Sequence, residues 1–244
     1  MFFRRKAVLF IHGFVGGAYD FGVLPRELES LKQFDVYSFT LTGHDLTIVK
    51  NVKYEKWIND AREYMDFLVK SGYKEIYVIG HSMGGVIASY IASEYPQVKK
   101  LVLAAPAFGY FSFKNGAVDI KGFNATIKGL KDSFSEYNSE YVMSRIIKTP
   151  INTMIEFTKL VNCYYDSIKN VNCETLIIHG NDDYIVPNEA TVYAYDNIGT
   201  DKCLLYNIND VNHNCFREKR SDEINDLIIK FFKNKTNKKN TLNI

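Results

Sequence analysis

Ser82 sits in GHSMG, residues 80–84, directly after an apolar run and ahead of the small and apolar residues Met83, Gly84, Val86, Ile87 and Ala88. A serine at the apex of a strand-to-helix turn is the setting of a nucleophile elbow, where a crowded backbone lifts the hydroxyl out of the sheet. Gly80 and Gly84 stand on either side, where only the smallest residue fits. A mere packing turn is the bland reading of the same residues, and the strand and helix around the serine argue against it.

A hydroxyl is a poor nucleophile until a base takes its proton, and the base must be oriented by a carboxylate. Of the five histidines, His12 and His179 end apolar runs and precede glycine, His81 lies inside the elbow, and His44 belongs to TLTGHD, a loop after the second strand. His213, in NDVNHNCF, falls between the last strand and the last helix, where its ring can swing over the carboxyl end of the sheet. It is the base the sequence favours. The carboxylate should follow the fifth strand, which ends in HGNDDYIVP. Asp182 and Asp183 both qualify by position, and chemistry alone does not separate them; the other is a solvated turn residue.

Acyl transfer also needs donors for the oxygen that becomes negative in the tetrahedral intermediate. Met83, the residue after the nucleophile, offers a backbone N–H at the positive end of a helix. A second donor is expected in FIHGFVGGAYDF, where Gly13 lets the chain turn so that the N–H of Phe14 points at the same spot. The alternatives for this loop are a plain glycine-rich turn or a phosphate cradle, and the latter lacks both the Gly-Lys-Ser/Thr and the dinucleotide spacing.

These groups need a scaffold that brings them to one rim. Apolar runs rich in Val, Ile, Leu, Phe and Tyr recur at 7–11, 34–39, 75–79, 100–104, 175–179 and 203–208, several of them apolar almost throughout, as strands covered on both faces are. Helical patterns lie between most of them. The clearest spans 54–69, with Tyr54, Trp57, Ile58, Ala61, Met65, Leu68 and Val69 on one face and Gly72 as a stop. Pro25 suits the first turn of a helix reaching about residue 32, and 83–95 and 219–233 supply two more. This alternation implies an α/β protein with a mostly parallel six-stranded sheet flanked by helices. One domain is expected over residues 1–244. Residues 107–171 break the rhythm; they are dense in aromatics (Phe108, Tyr110, Phe111, Phe113, Phe123, Phe134) and close with a helical stretch over 150–168. A loop of that length without structure of its own is uncommon, so a small, mainly helical insertion is expected. The aromatics serve either an apolar pocket wall or the packing of that insertion on the body. Residues 235–244 are polar and aperiodic and are expected to form a frayed, basic tail.

Composition narrows the classes. With 30 Lys+Arg against 28 Asp+Glu, intermixed, there is no basic face for nucleic acid. The first apolar run is too short for a signal peptide, and no run approaches the ~20 apolar residues that span a bilayer. A soluble, cytoplasmic protein is expected, without stable membrane insertion. Cys163, Cys173, Cys203 and Cys215 have neither metal-ligand spacing nor the density of a disulfide scaffold, and read as free thiols. Cys215, two residues past His213, reads as a buried thiol rather than a site residue. No metal or organic cofactor is called for, since histidine alone generates the nucleophile.

Taken together, LFIHGFVGG, YVIGHSMGGVIA, LIIHGNDDYIVP and NHNCF, in the order Ser, Asp, His, resemble an α/β-hydrolase, and most closely the small bacterial carboxylesterases related to monoacylglycerol lipases. The resemblance runs from residue 7 to about 232 and includes TPINTMIEFTKLV, which is similar to the end of that family's cap. It implies the α/β-hydrolase fold with a cap at 107–171 and a serine carboxylic-ester hydrolase; the aromatics of the insertion, read as an apolar pocket wall, add the expectation of uncharged short- to medium-chain acyl esters. The family pattern G-x-x-D-x-x-V-P falls on Gly180, Asp183, Val186 and Pro187, which selects Asp183 over Asp182. The resemblance likewise assigns Ser82 as nucleophile, His213 as base and the amides of Phe14 and Met83 as the oxyanion hole. Departures are Val211–Asn212 before the base, where Ser-Gly or Gly is usual, and a single glycine in GHD at 43–45. They leave the triad intact and blur the subfamily. A thioesterase or carbon–carbon bond hydrolase would use the same triad, and a non-catalytic relative binding a small ligand is a further reading, because fold alone does not fix function.

Overall fold

The computed structural model describes residues 5–44, 50–108, 148–183, 185–217, 219–236 and 238–244, with two short strands at 113–114 and 117–118. The first four apolar runs form β1 (Lys6–Ile11), β2 (Phe34–Ser38), β3 (Ile76–His81) and β4 (Val98–Ala104). Among the described residues, β5 (Phe113–Lys114) and β6 (Ala117–Val118) pair with each other and not with the main sheet. β7 (Glu174–Gly180), β8 (Cys203–Ile208) and β9 (Asn240–Asn243) complete a seven-stranded sheet in the order β2-β1-β3-β4-β7-β8-β9. Every pairing in that sheet is parallel. All six residues of β3 are buried, as are all but one in each of β1, β4 and β7, which explains their continuous apolar runs.

Alternate strand residues divide the core into two layers. On one face Leu9, Ile11, Val78, Leu101, Leu103 and Ile177 meet α2 (Tyr54–Lys70), α3 (Met83–Glu94) and α4 (Ile151–Tyr164) through residues such as Trp57, Met65, Ile87 and Leu160. On the other, Val8, Phe10, Ile79, Val102 and Ile178 meet α1 (Leu24–Ser30) and α6 (Ser221–Lys233) through Leu24, Leu28, Ile228 and Phe232. α2 buries the stripe its spacing predicts, and its last turn gives way to Gly72 at φ +89°. α1 carries Pro25 in its first turn.

Strand order also fixes where a site can open. The chain steps from β1 outward to β2, then jumps back across β1 to β3 and continues the other way. At such a reversal the loops leaving the two adjacent strands part in opposite directions, and a crevice opens beyond their carboxyl ends. Those loops here hold Phe14 and Ser82.

Three elements depart from the sequence-based expectations. The sheet has seven strands rather than six, because the tail expected to fray over 235–244 contributes β9, registered from Leu204 opposite Asn240 to Asn207 opposite Asn243. Polar contacts hold it: the Asn207 side-chain amide donates to Asn243 Oδ1 (3.1 Å) and Lys239 Nζ donates to the Tyr195 carbonyl (3.1 Å). α5 (Asn188–Asn197) was not expected; it buries only Ala190, Thr191 and Ala194, too small and polar to make an apolar period. The helix expected over 150–168 ends at Tyr164 and continues as a 3-10 turn over Tyr165–Asn170. Most of the expected cap, including Tyr110, Phe111, Phe123, Phe134 and the side chain of Phe113, lies outside the described residues, while Phe108 is buried in the core.

Packing of α3 on the sheet leaves no room at Gly84, where a Cβ would overlap the backbone carbonyl oxygens of Ile11 and His12. Backbone cannot rotate aside as a side chain can. Gly84→Ala should therefore destabilise the fold by about 1–3 kcal/mol or more, read as a lowered urea midpoint; an unchanged midpoint would contradict this close approach.

Candidate active site

Ser82 follows β3 directly and caps α3 with φ 54° and ψ −120°, a backbone conformation that a residue with a side chain rarely adopts. Such strain persists only where surrounding bonds over-determine it. Three do so: the Ser82 N–H donates to the Ala104 carbonyl (2.9 Å), and the Ser82 carbonyl accepts from the N–H groups of Gly85 (2.9 Å) and Ala107 (3.1 Å). The flanking glycines answer crowding. A Cβ at Gly80 would strike the Gly84 carbonyl and the Ala88 side chain, and one at Gly84 would strike β1. Small residues thus let β3, α3 and β1 close in, and the strained position is left to the serine.

Of the two candidate aspartates, Asp183 reaches His213. The ring Nδ1–H of His213 donates to Asp183 Oδ2 at 2.8 Å, and the other carboxylate oxygen, Oδ1, accepts the N–H groups of Ile185 (2.8 Å) and Val186 (2.9 Å). Asp182 is exposed, with its N–H on the Val211 carbonyl. The Asp183 side chain is fully out of contact with solvent. Burial alone pushes its pKa up, yet the charge and hydrogen bond of His213 and the Val186 N–H outweigh that and hold it below the usual carboxylate range. The carboxylate is ionised where it sits.

His213 is also held from behind. Its backbone carbonyl accepts a hydrogen bond from Nε2–H of His81 at 2.9 Å, and the two rings lie 4.9 Å apart between centroids. Burial first, then the proximity of His213, drives the His81 pKa down to about 3, so His81 stays neutral, and because a carbonyl can only accept, its one ring hydrogen sits on Nε2. His81 immediately precedes Ser82, so one ring ties the turn at Ser82 to the loop of His213. No spacing in the sequence announces this role of His81, because the contact spans 132 positions.

Gly13, Phe14 and Met83 complete the arrangement. A Cβ at Gly13 would come within 3.0 Å of Ser82 Cβ, so the loop after β1 lies directly against the elbow. Met83 opens α3, where the first amides have no partner within the helix. The Phe14 ring stacks on Phe157 of α4 (centroids 4.9 Å apart, planes 11° apart) and meets Trp57 and His44 edge-on. Cys215 is buried in a 3-10 turn just beyond His213, and none of the four cysteines forms a disulfide. Among the described residues no helix is long and apolar enough to cross a membrane.

Residues 4–220 match the family described as "Serine aminopeptidase, S33". A carboxylesterase from Bacillus subtilis (strain 168) is 23% identical over 230 residues, covering 93% of this chain and 92% of its own. A thermostable monoacylglycerol lipase from Bacillus sp. (strain H-257) is 25% identical over 190 residues, covering 74% of this chain and 71% of its own. In three dimensions the chain superposes on a structure described under "LipS and LipT, two metagenome-derived lipolytic enzymes" with a TM-score of 0.74 at 18% identity, over 94% of each chain. The chain belongs to the serine aminopeptidase S33 family and is an α/β-hydrolase of the esterase and lipase type.

Proposed function

We propose that this carboxylic ester hydrolase cleaves uncharged short- to medium-chain acyl esters with Ser82 as nucleophile, His213 as base and Asp183 as the orienting carboxylate. The observation that carries the reading is the bond from His213 Nδ1–H to Asp183 Oδ2. It leaves Nε2 as the bare nitrogen, free to take a proton from a hydroxyl, and it places a buried negative charge beside the imidazolium that forms. The strained turn at Ser82, two loops away on the same rim of the sheet, supplies that hydroxyl.

The chemistry follows in two halves. His213 Nε2 accepts the Ser82 proton as Oγ attacks the ester carbonyl, and the amides of Phe14 and Met83 hold the oxygen that becomes negative. Collapse of the tetrahedral intermediate breaks the bond to the alkoxy group, which leaves as the alcohol with the proton from His213, and Ser82 is acylated. Water then attacks the acyl-enzyme with His213 again as base, releasing the acid and restoring the serine. An uncharged acyl group suits the aromatic surround of Phe14, Trp57 and Phe157, and the names of the carboxylesterase and monoacylglycerol lipase relatives point to the same substrate class.

Three outcomes test the assignment. Ser82→Ala should abolish turnover of a p-nitrophenyl ester, and turnover at the parent rate would end it. Asp183→Asn should lower kcat by on the order of 10³–10⁴ through loss of the correct tautomer, while Asp182→Asn stays within a few-fold; the reverse ranking would move the carboxylate by one position. Because the folded state holds the Asp183 pKa below its unfolded value of about 3.9, the ionised carboxylate stabilises the fold above that pH, and the contribution is lost as pH falls through the folded-state pKa. Unfolding free energy measured against pH should therefore fall less steeply below about pH 4 in Asp183→Asn than in the parent; parallel acid slopes would contradict the depressed pKa.

A further inference from the structure

We infer that His12 is a positioning residue for the oxyanion site, its ring setting the direction in which the Phe14 N–H points. The inference rests on the reading of Phe14 as an oxyanion donor and adds a residue to it. His12 is fully buried at the end of β1, where the sequence suggests no more than the close of an apolar run. Its two ring nitrogens make two unlike contacts. Nε2 lies 2.9 Å from the Leu41 N–H, which can only donate, and Nδ1 lies 2.7 Å from the Gly13 carbonyl, which can only accept. One tautomer satisfies both: neutral imidazole, with the hydrogen on Nδ1 and a bare Nε2.

The consequence lies in the peptide that joins Gly13 to Phe14. Its carbonyl and its N–H share a plane and point in opposite directions. Holding the Gly13 oxygen toward the buried ring therefore turns the Phe14 N–H the other way. On Gly13 the neighbour is the elbow itself, with a Cβ position 3.0 Å from Ser82 Cβ. The Gly13 oxygen has a second, longer donor in the Gly16 N–H (3.2 Å), which belongs to the same loop and moves with it. His12 is different in kind, because its other nitrogen is anchored on the segment after β2, and the His44 ring packs edge-on against it at 5.2 Å. The ring is a strut between two loops, and the peptide of the oxyanion donor is fastened to one end.

The two contacts can be separated by substitution. His12→Asn keeps an N–H donor at the δ position for the Gly13 oxygen, whereas His12→Gln keeps only an acceptor at the ε position for the Leu41 N–H. Activity on p-nitrophenyl butyrate, affinity for a trifluoromethyl ketone of matching chain length, and Tm are measured for the parent, both variants and His12→Ala. His12→Ala and His12→Gln should lose about 10²–10³ in kcat, the usual effect of one oxyanion donor. KM should change less than about threefold, and ketone affinity should fall in parallel with kcat, since the bound ketone carries the oxyanion. His12→Asn should recover to within about tenfold of the parent. Equal losses in the Asn and Gln variants that track Tm, or kcat within threefold of the parent in all three, would overturn the inference. Ser82→Ala, run alongside, separates the two readings: turnover there removes the triad itself, whereas an inert Ser82→Ala with unaffected His12 variants removes only the role of His12.

Discussion

The constraint on which the rest depends is the close approach of α3 to the carboxyl ends of β1 and β3. Glycine at 80 and 84 lets a helix start where backbone from two strands already stands, and the chain reaches that start only by passing through a left-handed φ at Ser82. Strain of that kind costs on the order of 1–3 kcal/mol. Its hydrogen bonds to the Ala104 carbonyl and from the Gly85 and Ala107 N–H groups leave the residue no relaxed alternative. The same closeness brings Gly13 against the serine, so Ser82 and the loop after β1 are fixed by one packing event.

Around that point, a chain of buried polar groups carries orientation from loop to loop. Ile185 and Val186 amides fix Asp183; Asp183 fixes the His213 ring; His81 fixes the His213 backbone and is covalently joined to Ser82. Each member is buried, so each hydrogen bond acts in a medium of low dielectric, where a misplaced partner is costly. The loops after β7 and β8 are laced as well, through Asn181 N–H on the Ile208 carbonyl and Asp182 N–H on the Val211 carbonyl. Because β7 and β8 are neighbours in the sheet, Asp183 and His213 arrive together although 30 positions separate them.

What the sequence made legible follows from where signal accumulates. Buried parallel strands leave continuous apolar runs, and the six expected strands lie within two residues of the observed bounds. β9 left no such trace, since Asn-Thr-Leu-Asn at a sheet edge is held by amide and lysine contacts instead of a buried face. α5 was missed for a related reason: alanine and threonine fill its buried side. Around the site, Ser82 and His213 stood out through local context, whereas the choice between Asp182 and Asp183 needed the family pattern, because adjacent carboxylates look alike until a fold points one of them inward. His12 and His81 act through contacts 29 and 132 positions away and were not readable from spacing.

The central claim is that one tetrahedral centre on Ser82 is met simultaneously by the amides of Phe14 and Met83 and by Nε2 of His213. A crystal structure of the enzyme after reaction with an alkyl fluorophosphonate tests it most directly, since the phosphonyl group reproduces that centre. The account predicts a covalent bond to Ser82 Oγ, with the phosphoryl oxygen within hydrogen-bonding distance of both amides and the His213 ring still on Asp183. An adduct on another residue, or a phosphoryl oxygen turned away from Phe14 and Met83, would contradict it.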